Sequence, residues 1–144
     1  MRVADMSFRE KSAWVSFFTI LGVFTPFFWN SYRQFTGALD GPAGLTTAFG
    51  LLVLFVVIEV VLHVALALWS PKDARTPKDE RERLIEMRAT FLAFHVLVTG
   101  ALVGVATIHL SRSAWVMQQV VLFAIVLAEL VKFGTEMVLF RRDA

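Results

Sequence analysis

Four long apolar runs alternate with short polar stretches, and the densest polar stretch, S-P-K-D-A-R-T-P-K-D-E-R-E-R at 70–83, divides them two and two. About 20 apolar residues, each rising about 1.5 Å, cross a hydrocarbon layer of about 30 Å, and each run is of that order. The pattern predicts an all-α, polytopic membrane protein, a single four-transmembrane-helix bundle over 1–144. Its spans fall at about 13–30, 45–69, 84–110 and 114–140, with 70–83 as a connecting loop. Ser12 is the expected N-cap of the first helix, and Pro26 is expected to kink or end it. The Gly-, Pro- and Asn-bearing stretch at 30–46 reads as a loop. S-P-K-D at 70–73 returns as T-P-K-D at 76–79. The second copy puts Thr76 at N-cap, Pro77 at N1 and Asp79 at N3, so the third helix is expected to start near Pro77 and rise into its span.

Composition sharpens this picture. At 57% hydrophobic residues and a mean hydropathy of +0.66, the chain is too apolar for a soluble domain. The first run is too long for a signal-peptide core and lacks a small-x-small cleavage site, so it is expected to stay as a helix; Met1 and Met6 both remain possible starts. Arg2, Arg9, Lys11, Lys72, Arg75, Lys78, Arg81, Arg83, Arg141 and Arg142 fall on one side of the expected spans, against Arg33 and Arg112 on the other. The positive-inside rule then predicts an N-in/C-in arrangement with the 70–83 loop in the cytoplasm. Trp14, Trp29, Trp69 and Trp115 sit at span ends, as an aromatic belt requires. The net charge of +2 and pI near 9.4 are therefore read as topology signals, and no nucleic-acid partner is expected. With no cysteine there is no disulfide, thiolate metal site or cysteine nucleophile.

Ionisable residues inside the runs carry the most information, because a charge near mid-bilayer costs about 2.5–3.5 kcal/mol even on the lenient insertion scale. Glu59 and His63 share a face of the second helix. Gln118, Glu129, Lys132 and Glu136 share one on the fourth, Arg88, His95 and Thr99 one on the third, and Ser12, Ser16, Thr19, Pro26 and Asn30 one on the first. Counted from the expected cytoplasmic ends, Glu59, His63, His95, Glu129 and Lys132 lie about 10–15 Å deep, so a single intramembrane polar cluster is expected, with Glu136 beside it. Such a cluster is compatible with a structural role holding helices in register, with a proton, ion or substrate path using Glu59, His63, Glu129 and Lys132, with a divalent metal on Glu59, His63, His95 and Glu129, or with haem b between His63 and His95. The expectation is no cofactor, with the metal and haem as alternatives. His109 reads as an interfacial residue.

Gly100 and Gly104, extended by Ala89 and Ala93 on a face away from His95, form a small-residue line for close helix packing, within the bundle or between copies. No phosphate-binding glycine loop, nucleophile elbow or zinc-protease motif is present, and no enzymatic activity is expected.

M-S-F-R-E-K-S-A-W at 6–14 and D-E-R-E-R-L-I-E-M-R-A at 79–89 resemble the two marked stretches of small four-helix bacterial inner-membrane proteins of the domain-of-unknown-function type. The resemblance covers nearly the whole chain and implies a multi-pass protein of the bacterial inner membrane; it brings no activity and no functional residues. The leading expectation is a non-enzymatic membrane protein acting as a regulatory or assembly partner. Its docking residues would be Arg81, Arg83 and Arg88, and its partners the bilayer, further copies of itself, or another membrane or cytoplasmic protein. The alternatives are a small proton-coupled or ion transporter or channel, and a haem or metal electron-transfer subunit.

Overall fold

The structure, a computed structural model, describes residues 7–37, 45–71, 77–111 and 113–142. Within them the chain forms four long helices and no strand: α1 (Phe8–Phe35), α2 (Leu45–Trp69), α3 (Glu80–Ser111) and α4 (Ala114–Arg142). All four are long and apolar enough to cross a membrane.

The helix ends differ from expectation wherever a cap was misread. α1 begins at Phe8 because Ser7 is its N-cap: the Ser7 hydroxyl accepts from the Glu10 N–H at 3.2 Å, and S-F-R-E has capping-box spacing. Ser12 is thus a helical residue, not a cap. Pro26 does not end α1, which continues to Phe35 through residues expected in a loop. Phe24, Phe27 and Ser31 are buried on both sides of Pro26, so packing outweighs the one backbone hydrogen bond it removes. α3 is capped by Asp79, whose carboxylate accepts from Glu80 N–H at 2.7 Å while Glu82 accepts from Asp79 N–H at 3.3 Å. Asp79 is therefore N-cap and not N3; the expected Thr76 cap, Lys72, Arg75 and the loop at 38–44 lie outside the described residues. Ser113 caps α4 through its hydroxyl to Val116 N–H at 3.4 Å.

The helices are neighbours in the order α2, α1, α4, α3. Three antiparallel seams join them, each with its own determinant. In the α3–α4 seam, the most extensive, small residues let the backbones close: a Cβ on Gly100 would overlap Ala124, one on Gly104 would overlap Val121, and Ala89 and Ala93 are buried on the same side. Large side chains form the α1–α4 seam around Ile20, Phe24 and Val126, with Phe28 edge-on to Phe123 at 5.2 Å. The α1–α2 seam is the slightest; Phe24 meets Phe55 at 5.5 Å, and the rest of its specificity is polar. Among the described residues no packed seam joins α2 to α3, so the bundle is open on that side. Ala48 is the one buried position described in α2.

Candidate functional site

The polar face of α1 meets α2 as a two-rung ladder. Ser12 Oγ lies 2.8 Å from His63 Nε2, and Ser16 Oγ donates to Glu59 Oε2 at 2.9 Å. Both pairs are one helical turn apart on both helices, which fixes the antiparallel register. His63 Nδ1 lies 2.8 Å from the Glu59 carbonyl oxygen and 3.1 Å from Glu59 Oε2. Both of those are acceptors, so Nδ1 carries the hydrogen; with a neutral ring, Nε2 accepts from the Ser12 hydroxyl. Glu59 Oε1 is buried without a hydrogen-bond partner. The Glu59 and His63 side chains stay 17% and 36% exposed, because α1 covers only one side of them.

Ser12 also lines a cavity of about 210 Å³ at the end of the bundle where Phe8, Trp69, Glu80 and Arg142 lie, here termed the charged end. Three helices and the approach to α3 supply its charges: Arg9 from α1, Lys78, Glu82 and Glu86 before and along α3, and Lys132 and Glu136 from α4. Arg9 pairs with Glu82 at 2.6 Å, and Lys78 pairs with Glu86. Lys132 Nζ lies 5.0 Å from the centre of the Phe133 ring, and Glu136 is within electrostatic reach of Lys132, Glu86, Lys78 and Glu129. The hydroxyl of Ser12 thus stands between this charged cavity and the His63–Glu59 pair.

The expected single cluster is divided. Glu59 and His63 join α1, while Lys132 and Glu136 face the charged cavity. Glu129 is exposed, and so is His95, whose Nδ1 takes the Phe91 carbonyl and whose ring packs at 4.3 Å on Phe91. Seam registers explain the separation. Gly134 sits against Phe17 and Gly100 against Ala124, so Glu59 is level with Thr135, whereas His95 and Glu129 lie about six residues, or about 9 Å, farther from the charged end. Depth counted from the apolar span ends failed because α3 and α4 carry charged terminal turns, at 80–83 and at Arg141 and Arg142, that lie outside that count, whereas α2 has none. His63 and His95 are on helices with no packed seam between them, and among the described residues no three His, Asp or Glu side chains gather as a metal would require. Neither the bis-histidine pair nor the set Glu59, His63, His95, Glu129 is assembled. Arg81, Arg83 and Arg88 are exposed on α3, as is His109 near its end.

Two features escaped the sequence reading. Glu10, 5% exposed, lies 3.8 Å from Arg141, whose guanidinium stacks 4.8 Å over the Trp14 ring, so a residue read only as an orientation signal ties the last turn of α4 to the first turns of α1. The charged cavity was missed as well; its signal was the i, i+4 pairs Glu82/Glu86 and Lys132/Glu136 on adjacent helices. The chain matches no protein-family model, no curated protein and no solved structure.

Proposed function

We propose that the chain is a non-enzymatic, multi-pass protein of the bacterial inner membrane, with both ends and the 70–83 loop in the cytoplasm, acting as a subunit or regulatory partner of a larger assembly. One observation carries this reading. α2 is the most apolar of the helices, none of its most apolar stretch is buried, and it nevertheless holds Glu59 and His63, which α1 covers for the most part but not fully. Lipid is a poor cover for such groups, and for Glu129 and His95 on the outer faces of α4 and α3; a second protein surface is a good one. The exposed Arg81, Arg83 and Arg88 offer docking cations beside the charged end.

Because the chain has no cysteine, single substitutions on α2 report neighbours cleanly. Val56→Cys and Val60→Cys, both more than half exposed, are expected to crosslink in native membranes, while Ile20→Cys in the core is not. A protein that sits alone in the membrane by native mass and yields no crosslink along α2 ends the assembly reading. Charge reversal of Arg81 and Arg83 to Glu is expected to weaken co-purification of a cytoplasmic partner.

A second reading, proton-coupled transport, is favoured by Ser12 alone, which touches both the charged cavity and His63. In proteoliposomes it requires a pH-driven flux that Glu59→Gln abolishes; a flux equal to that of empty vesicles removes it.

A further inference from the structure

The half of the molecule away from the charged end holds a different kind of site. A groove of about 560 Å³ runs along the α1–α4 seam over Ile20, Phe24, Val126 and Leu130. Through Phe28, Tyr32 and Phe123 it is continuous with a smaller pocket of about 270 Å³. That pocket ends at Ser31, Gln119 and the parallel stack of Phe35 on Trp115, whose rings lie 6.2 Å apart at 4°. Both parts of the groove are apolar at their surface, and the polar atoms of Ser31 and Gln119 lie buried in the wall of its far end.

Ser31 is 5% exposed, and its hydroxyl has no hydrogen-bond partner; the Gln119 amide nitrogen and oxygen are also buried and unpartnered. Buried polar atoms left unmatched are costly and rare, and two such side chains lining one pocket mark a place where a headgroup supplies the missing partners. Among the described residues no Lys, Arg, His, Asp or Glu lines either part of the groove, so a phosphate, carboxylate or ammonium head would meet no counter-charge from those walls. Flat aromatic walls from Phe28, Phe35, Trp115 and Phe123 suit a planar ring.

The geometry points to a binding site for an uncharged planar ring that bears carbonyls and carries a long apolar tail, the chemistry of a membrane quinone. A ring carbonyl accepts from the Gln119 amide N–H and the Ser31 hydroxyl, the aromatic walls hold the ring, and the tail lies along Phe24 and Leu130. This goes beyond the assembly reading and rests only on the membrane placement within it, which membrane fractionation tests by itself.

The test is titration of the purified full chain in detergent micelles with decylubiquinone, followed by tryptophan fluorescence. Saturable quenching is expected, weakened about tenfold in Gln119→Leu and by a smaller factor in Ser31→Ala. Gln118→Leu, at a residue outside the pocket lining, is expected to leave it unchanged. Helical circular dichroism checks that each variant folds; should Gln119→Leu fail to fold, Val116→Phe, which narrows the same pocket, must give the same loss. Quenching that never saturates, that is unchanged in the folded pocket variants, or that monoolein, an ester lipid without a ring, displaces as well as the quinone does, overturns the assignment.

Discussion

His63 shows how one side chain can be fixed by three neighbours. Its Nδ1–H is held by two Glu59 oxygens, its Nε2 by Ser12, and Ser16 holds the Glu59 carboxylate in turn. Interhelical hydrogen bonds in membranes are worth about 0.6 kcal/mol on average, so Ser16→Ala is expected to lower stability by that order in detergent unfolding. Glu59→Leu alone should cost more, since it leaves the imidazole N–H facing only a carbonyl and strands Ser16. The double replacement of Glu59 and His63 by Leu should recover part of that loss, because the imidazole leaves together with its acceptor and the Ser12 and Ser16 hydroxyls can turn to carbonyls of their own helix. A double variant that folds well but no longer gives the crosslinks expected along α2 separates the proposed association from stability.

At the level of the helix, the two kinds of seam make different demands. Gly100→Val would press a branched side chain into Ala124 and is expected to cost about 1–3 kcal/mol, read as a lower unfolding midpoint, whereas Gly22→Ala, with open space around it, should cost nothing comparable. Ser7→Ala removes the α1 cap at about 1 kcal/mol, seen as faster amide exchange in the first turn. Existence and number of helices were legible from apolar run length alone, because only a helix satisfies every backbone group in such a run. Helix ends were less so: S-F-R-E and S-A-W-V both begin with a plausible cap, and burial of Glu10 and Ala13 decides between them. Facing was legible for Ser12, Ser16, Glu59 and His63, which recur at four-residue spacing, whereas Pro26 and Asn30, expected on the same face of α1, are exposed. On α3 two lines compete, Arg88/His95/Thr99 and Ala89/Ala93/Gly100/Gly104, and close backbone approach takes the small one, turning His95 outward.

For the molecule as a whole, the opening between α2 and α3 is the dominant fact. A closed bundle would have gathered every ionisable group inside, as depth counting suggested; the open one leaves Glu129 and His95 outside, which no single-sequence pattern distinguishes. The proposed orientation rests on the distribution of Lys and Arg. A cysteine placed before Ser7 and one placed after Arg142 should react with an impermeant maleimide only from the cytoplasmic side, whereas one near Phe35 should react from the other. Glu129→Leu should ease insertion while weakening association with neighbours, a pairing of effects that a lone monomer would not show.

The latch of Glu10, Arg141 and Trp14 also has a temporal side. A ribosome releases the opening helix long before the closing one, so for most of synthesis an acidic group meant for enclosure waits without its cation. Removing the last turn of α4 would therefore be felt first in α1, and these two helices mature as one unit.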